Sequence, residues 1–227
     1  MKVHVFLARF DDAVGYDLEI LDERASVQDY LDGLNEFQEK YVDNCKGCDG
    51  CCYERIPLTS IDVLQYLDDP EVAAELKTMQ KEGQSPLSAF IENYCYVSGT
   101  GPVLDIALKR NPDYSCIFLN RDEKTCTNHR SRSFVCQSFV CLPHGEGAGK
   151  LRDVILNTGE DDLVHRYLLE AKEKGVLPVI HENNQAAPSL DDYPGNPFTG
   201  KSRYHQVLIK DIIPQKLWQE LYRQPRR

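Results

Sequence analysis

The sequence predicts an α+β protein in which short β-hairpins accompany a mostly helical middle section. Three observations lead to this class. Apolar and polar residues alternate near the amino terminus, as they do in a pair of half-buried strands. Helix-capping residues followed by apolar residues at helical spacing recur between Ser26 and Ser85. Eight of the nine cysteines form two groups, and the segment between these groups is mostly helical.

The first predicted element is a β-hairpin, because residues 3–7 and 16–20 both alternate and a turn-like segment rich in aspartate separates them. Ser26 and Asp29 then have the spacing of a capping box, and they predict a helix. Apolar residues at helical spacing continue this helix to Tyr41, just before the first cysteines.

The region between the cysteine groups predicts three more helices. Their start signals are Ser60, Asp69 followed by Pro70, and Ser85 followed by Pro86. A second hairpin is predicted from residues 94–97 and 103–108, which flank a glycine-rich turn. A short strand is predicted at residues 116–119.

The carboxyl-terminal part predicts a mixture of elements. Gly145 to Gly149 form a glycine run that predicts a flexible loop rather than a nucleotide-binding loop, since no strand is predicted before it. The remaining predictions are a helix over residues 161–174 ended by Gly175, strands at 176–180 and 206–209, a long connector over 182–202, and a last helix opened by Pro214.

These elements divide the chain into three predicted parts. Residues 1–44 form the amino-terminal hairpin and helix. Residues 45–145 form a small, mostly helical domain that contains both cysteine groups. Residues 146–227 form an α/β extension packed on that domain.

Acidic residues outnumber basic ones by 36 to 26 in the 227-residue chain, which gives a formal net charge of −10. Because nucleic acids and anionic membranes attract basic surfaces, we expect neither as a partner. A protein partner or a small molecule is expected instead. The apolar stretch at residues 3–7 is too short for a signal peptide, and no apolar run reaches the length of a membrane span, so we expect a cytoplasmic protein. Nothing in the sequence indicates an oligomeric state.

The first cysteine group has the spacing C-x2-C-x2-C-C, with Gly47 and Gly50 between its members. Its residues are Cys45, Cys48, Cys51 and Cys52. Thiolates at intervals of three can surround one point, and the glycines permit the turn that this requires. A disulfide knot or a cluster of buried thiols is the alternative, but the odd cysteine count and the expected reducing compartment favour a metal site.

The second cysteine group is more widely spaced and would close a metal site from the other side. Its members are Cys116, Cys126, Cys136 and Cys141. We take all eight grouped cysteines as candidate metal ligands. Cys95 lies in the second predicted hairpin, outside any ligand spacing, and is interpreted as a core residue.

The spacing of the first group favours an iron–sulfur cluster of the [4Fe–4S] type over zinc. Cys45, Cys48 and Cys51 have the phase with which bacterial ferredoxins bind three irons, and one of Cys116, Cys126 or Cys136 would be the fourth ligand. Cys52 would bind a second metal or remain a thiol. In the zinc alternative, His144 joins Cys141 in a C-x2-H pair. Six nearby cations would offset thiolate charge: Lys46, Arg55, Arg121, Lys124, Arg130 and Arg132.

The cysteine pattern resembles that of a known family. Its elements are Cys45-x2-Cys48-x2-Cys51-Cys52, Ile56-Pro-Leu-Thr59, Cys116-x-Phe118-Leu119, and Cys126 ten residues before Cys136. They resemble the CxxCxxCC cysteine-cluster family of the YkgJ type, over roughly residues 45–139. This resemblance implies a zinc- or iron-chelating domain. Arg132 and Phe139 also match the family, whereas Ser133 replaces its usual proline, His129 a common tyrosine and Gln137 a common arginine.

The sequence therefore predicts a metal-binding protein that uses an iron–sulfur cluster for electron transfer, redox sensing or structural support. A structural zinc protein is the first alternative. The second is a protein-modifying enzyme, because flagellin lysine methylases have a similar cysteine pattern. No catalytic constellation is recognisable in the sequence, and it leaves the enzymatic question open.

Overall fold

The structure is a computed structural model that describes residues 1–11, 13–42 and 47–223. It is a mixed fold of helices and short sheets, which confirms the predicted mixture of the two. The helices are α1 (Val27–Tyr41), α2 (Ser60–Asp68), α3 (Pro70–Met79), α4 (Pro86–Tyr94), α5 (Phe134–Ser138), α6 (Glu146–Lys174), α7 (Ile209–Ile212) and α8 (Gln215–Leu221). The strands are β1 (Val3–Phe10), β2 (Ala13–Ile20), β3 (Cys95–Thr100), β4 (Val103–Leu108), β5 (Leu119–Asn120), β6 (Thr125–Cys126) and β7 (Glu182–Asn184). No helix in the described part of the chain could cross a membrane.

The amino-terminal hairpin and first helix are as predicted. Strands β1 and β2 pair antiparallel from Val3 opposite Ile20 to the turn. Ser26 caps α1, and its side chain and that of Asp29 form the expected reciprocal hydrogen bonds. The hairpin is fixed to the chain before α6, because the Tyr16 amide donates to the Pro143 carbonyl at 2.9 Å.

The three helices between the cysteine groups are also confirmed, with one shift of a residue. Thr59, rather than Ser60, caps α2, and the Thr59 amide donates to the carboxylate of Asp62 at 2.9 Å. Threonine and serine are both good caps, so the local pattern could not separate them. Asp62, three residues after Thr59, is the acidic partner that makes Thr59 the cap. The predicted hairpin is formed by β3 and β4, with Gly101 at a positive φ of 56° in its turn.

The prediction of a flexible loop at Gly145–Gly149 is wrong, because α6 begins at Glu146 and runs for 29 residues. The glycines allow close packing: a Cβ atom would lie 2.5 Å from Asp17 Cγ at Gly145 and 2.6 Å from His144 Cε1 at Gly149. The helix ends as predicted at Gly175, whose φ is 65°.

Three predicted strands are wrong. Residues 176–180 form no strand, and the Val179 amide donates to the Tyr167 hydroxyl at 2.7 Å instead of to a neighbouring strand. The paired strand is β7 instead, parallel to β3. Residues 206–209 form a single bridge with the segment before α1 and then enter α7. Of residues 116–119, only Leu119 belongs to a strand. The last helix follows Pro214 as predicted.

Two hydrophobic clusters form the core, and α6 belongs to both. The first half of α6 packs with the β1–β2 hairpin, α1 and the carboxyl-terminal helices. Its second half packs with α2, α3, α4 and the β3–β4 hairpin. Where the two clusters meet, the buried carboxylate of Asp62 accepts hydrogen bonds from the Phe134 amide at 2.7 Å and the Tyr204 hydroxyl at 2.6 Å. The predicted division of the chain into three parts, with boundaries after residues 44 and 145, stays a prediction.

Glu160 is a second acidic side chain in the interior, on the face of α6 that meets β4. Its carboxylate accepts a hydrogen bond from the Ile106 amide at 3.3 Å. Burial raises the pKa of Glu160 from its usual 4.5 to about 7. The folded protein therefore holds this proton more tightly than the unfolded chain does.

This pKa predicts how stability changes with pH. The contribution of protonated Glu160 to the free energy of unfolding is complete below about pH 4.5 and is lost as the pH rises through 7. Glu160→Gln stays neutral and keeps an oxygen for the Ile106 amide. We expect the variant to match the unmodified protein near pH 4.5 and to exceed its free energy of unfolding by about 2–3 kcal/mol above pH 8.

Urea denaturation of the metal-loaded proteins at the two pH values measures this difference. Glu173→Gln, an exposed carboxylate on the same helix, is the control and should change neither value. Equal stabilities of Glu160→Gln and the unmodified protein above pH 8 would contradict the prediction.

Candidate metal centre

The described part of the first cysteine group forms a tight turn. Gly47 has a φ of 83°, which favours glycine, and a 3₁₀ turn follows over Gly50–Tyr53. The Cys52 amide donates to the Asp49 carbonyl at 2.9 Å and closes this turn. Cys48 is exposed, whereas Cys51 and Cys52 are half-buried. Cys45 and Lys46 lie outside the described residues.

Backbone pairing brings the second cysteine group to this turn. The Cys116 amide donates to the Cys52 carbonyl at 2.7 Å. Cys126 lies opposite Leu119 in the small β5–β6 hairpin, and Cys136 lies on α5. Five of the predicted ligands therefore come from four separate segments: Cys51, Cys52, Cys116, Cys126 and Cys136.

These five cysteines, which we call the thiol patch, influence one another electrostatically. The pKa of Cys116 is raised to about 11, chiefly by burial and in smaller part by negative charge on Cys126 and Cys51. Burial likewise raises the pKa of Cys136 to about 12, with contributions from Cys116, Cys51 and Cys126. Because such coupling requires short separations, the five sulfurs share one neighbourhood.

The adjacent cysteines Cys51 and Cys52 are not equivalent. The Cys52 thiol donates a hydrogen bond to the Cys51 sulfur, and this bond is the main reason that the pKa of Cys51 is lowered. The same bond, followed by burial, raises the pKa of Cys52. Cys51 is thus the member of the pair that is prepared to act as a thiolate.

Hydrogen-bond donors also point at the sulfurs of the second group. The Phe118 amide donates to Cys116 and the Asn128 amide to Cys126, in each case from two residues further along the chain. The Ser133 hydroxyl lies beside Cys136. Each donor lowers the pKa of its cysteine and so opposes the effect of burial. Sequence patterns did not reveal these donors, because their direction depends on the turns that contain them.

Among the predicted cations, Arg132 faces the thiol patch. It opposes the rise that burial causes in the pKa of Cys126, and it helps to lower the pKa of Cys51. Arg55 and Arg121 instead form ion pairs with the carboxylates of Asp105 and Asp113.

Arg110 was missed by the sequence analysis. It lies opposite Cys116 in an isolated antiparallel bridge and lowers the pKa of that cysteine, against the larger effect of burial. No short-range signal could have identified it, because its place beside the thiol is set by this bridge.

The remaining candidates of the second group are Cys141 and His144. Cys141 is exposed on the loop after α5, and the Gln38 side chain on α1 donates to the Phe139 carbonyl of this loop at 2.7 Å. The loop therefore lies near the end of α1, which leads along the chain towards Cys45. The His144 ring packs edge-on against Tyr16, with centroids 6.0 Å apart, and faces the amino-terminal hairpin.

Residues 44–154 match the model of the CxxCxxCC family, described as a putative zinc- or iron-chelating domain. The match spans just under half of the chain, includes both cysteine groups and ends in the first half of α6, so the resemblance inferred from the cysteines is confirmed. No curated protein and no solved structure matches the chain. The match supports metal binding in general terms.

The donor chemistry of the matched segment fits zinc or iron. Thiolate sulfur is a preferred ligand of zinc and of iron–sulfur clusters, and backbone amides that donate to sulfur are a usual means of stabilising such thiolates. Among residues 1–11, 13–42 and 47–223, no three histidine, cysteine or acidic side chains are already arranged for a single ion. The inference that zinc or iron fits this segment therefore rests on the sulfur ligands of the thiol patch and on the amides and arginines beside them.

The thiol patch predicts that metal content depends on the second cysteine group. Cys136→Ser should lose most of the bound metal, because a hydroxyl replaces a thiolate whose neighbours belong to the same site. Elemental analysis after gel filtration measures the loss. Cys95→Ser is the matched control: Cys95 is fully buried in β3 and is interpreted as a core residue, so this variant should keep its metal. Equal metal contents in the two variants would contradict the assignment of Cys136 to the site.

Proposed function

We propose that this protein holds an iron–sulfur cluster of the [4Fe–4S] type through the cysteines of its CxxCxxCC domain. The observation that supports this most is the backbone bond from Cys116 to Cys52, which joins the second cysteine group to the turn that ends the C-x2-C-x2-C spacing. A cluster bound by three closely spaced cysteines needs a fourth thiolate from elsewhere in the chain. The thiol patch supplies candidates for that fourth ligand.

In the proposed site, Cys45, Cys48 and Cys51 are three ligands and Cys136 is the fourth. Cys116 and Cys126, which belong to the same thiol patch, are the alternatives for the fourth position. The Cys52 thiol donates a hydrogen bond to the Cys51 sulfur, and Cys52 would remain beside the cluster rather than bind it.

When bound, such a cluster would accept and release single electrons. The protein would adjust its potential in two ways. Burial of the second-group cysteines would favour the oxidised cluster, which carries less negative charge. Arg132, Arg110 and the amides that donate to sulfur would stabilise the reduced cluster, which carries more. Electron transfer, redox sensing and structural support are all compatible with this chemistry. For the first two, we propose a protein partner that exchanges electrons with the cluster.

A structural zinc site is the second candidate, and one observation favours it. The thiol patch brings five cysteines together without using Cys45 or Cys48, and four thiolates complete a tetrahedral zinc site. Zinc has no redox chemistry in proteins, so its role here would be to join the cysteine turn to the β5–β6 hairpin and α5.

Anaerobic purification tests the choice of cofactor directly. We expect a brown protein that contains iron and acid-labile sulfide in equal amounts, with ligand-to-metal absorption that is bleached by dithionite. Purification in air of a parallel sample controls for loss of the cluster by oxidation. A colourless protein with stoichiometric zinc from the anaerobic preparation would reject the iron–sulfur proposal in favour of the zinc site.

Cys48→Ser separates the two ligand sets. Cys48 is exposed and belongs to the C-x2-C-x2-C spacing but not to the thiol patch. If the cluster uses that spacing, the variant should lose most of its iron, and the characteristic absorption should fall in proportion. Cys95→Ser, treated in parallel, should retain both. Full metal content in Cys48→Ser would show that the patch binds metal without the first part of the motif.

A further inference from the structure

Ser133 lies at the start of α5, three residues before Cys136, and has the backbone conformation of a helix cap, with φ −61° and ψ 163°. A serine in this position usually accepts a hydrogen bond from an amide of the first helical turn, but the Ser133 hydroxyl accepts none. Ser133 is fully buried, and its hydroxyl makes no hydrogen bond in the described part of the chain. Because buried polar groups are nearly always paired, this hydroxyl calls for a partner.

Asp62 stabilises the start of α5 from another helix, α2. Its Oδ1 atom accepts a hydrogen bond from the Phe134 amide, the first amide of α5, at 2.7 Å. Oδ1 also accepts from the Tyr204 hydroxyl at 2.6 Å, and Oδ2 accepts from the Thr59 amide at 2.9 Å. Burial raises the pKa of Asp62 to about 6, so the carboxylate is still ionised at neutral pH. A charged acceptor on α2 therefore holds the first turn of α5 without the help of the Ser133 hydroxyl.

The Cys136 side chain is the partner that the geometry offers to Ser133. The two residues have the spacing of a capping box, in which the side chains of the cap and of the third helical residue meet beside the first turn. The Ser133 hydroxyl is close enough to oppose the rise that burial causes in the pKa of Cys136. A neutral thiol is a weak acceptor, whereas a thiolate is a strong one, and cysteines bind metals as thiolates.

We propose that the Ser133 hydroxyl donates a hydrogen bond to the Cys136 sulfur in the metal-loaded protein, and that Asp62 is the positioning residue that leaves Ser133 free to do so. This inference rests on the proposed function, because it requires a metal bound through Cys136. It applies to an iron–sulfur cluster and to zinc, since both bind cysteine as a thiolate. Cys136 then differs from Cys116 and Cys126, whose donors are backbone amides.

The rate at which the metal-loaded, full-length protein loses metal to excess EDTA under anaerobic conditions tests the hydrogen bond. Ser133→Ala should lose metal about tenfold faster than the unmodified protein, because the charged sulfur loses a donor. Ser133→Thr keeps the hydroxyl and should restore the rate of the unmodified protein. Ser138→Ala removes another fully buried hydroxyl of α5, one that donates to the Val135 carbonyl at 3.4 Å, and is the matched control.

Combined variants test the role of Asp62. In Asp62→Asn the acceptor is neutral and the first turn of α5 is held more weakly, so the Ser133 hydroxyl should turn to the helix amides. This variant should therefore also release metal faster, and adding Ser133→Ala to it should have little further effect. Asp162→Asn is the matched control and should leave the release rate unchanged. Asp162 is likewise fully buried, but its hydrogen bonds come from the side chains of Arg166 and Thr199.

The reduction potential separates this role from a purely structural one if the metal is an iron–sulfur cluster. Ser133→Ala should lower the potential, because a hydrogen bond to sulfur stabilises the reduced, more negative cluster. Ser133→Thr should restore it. A serine that only supported the fold of α5 would change the stability of the protein and leave the potential where it is.

Equal release rates in Ser133→Ala and Ser138→Ala would overturn the proposed hydrogen bond. Additive effects of Asp62→Asn and Ser133→Ala would overturn the positioning role of Asp62. If Asp62→Asn fails to fold, Tyr204→Phe takes its place, since it removes a donor that holds the same carboxylate oxygen, and the same additivity decides. An unmodified protein without metal would reject the proposed function and this inference with it, whereas the results above in a metal-loaded protein would reject the inference alone.

Discussion

The hydrogen bond between the Cys116 amide and the Cys52 carbonyl is the contact on which the cysteine region depends. It continues a pairing that starts closer to the core, where the Leu58 amide donates to the Ile106 carbonyl at 3.0 Å and the Leu108 amide to the Ile56 carbonyl at 2.9 Å. The segment after the cysteine turn thus runs antiparallel to β4. This pairing sets the register of the two cysteine groups. The chain between the paired segments contains α2, α3, α4 and β3, so these elements begin and end next to the cysteine region.

The chemistry of the thiol patch follows from that register. Its sulfurs are partly shielded by the second hydrophobic cluster, which disfavours thiolate charge, and yet two backbone amides and two arginines stabilise that charge. Shielding alone would leave these residues as inert thiols. The opposing donors give the patch the character of a ligand set, and the CxxCxxCC match is consistent with that character.

Local signals in the sequence were sufficient for much of the fold. The capping box at Ser26, the proline at the start of α3 and the glycine at the end of α6 each act within a few residues, so they could be recognised without tertiary information. The start of α6 could not be recognised in this way, because glycine is needed at position 145 for the close approach of Asp17 from the amino-terminal hairpin. Apolar residues at 148, 151 and 155 were the available sign that the helix begins earlier.

The candidate site was likewise predictable from the sequence only in part. Spacing was sufficient to name the cysteines and the family, but it could not show that Cys51 and Cys52 differ, that Arg110 replaces Arg55 near the thiols, or that Asp62 holds the start of α5. Each of these depends on contacts between residues that are brought together only by the pairing of distant segments.

The length of α6 has a consequence for how the molecule unfolds. A helix of 29 residues spans about 44 Å and here contributes its two halves to different hydrophobic clusters. Neither cluster can lose its share of the helix without exposing apolar side chains that the other half helps to keep in place. We therefore expect the two clusters to open together, so that metal binding near the second cluster would slow hydrogen exchange of backbone amides in the amino-terminal hairpin.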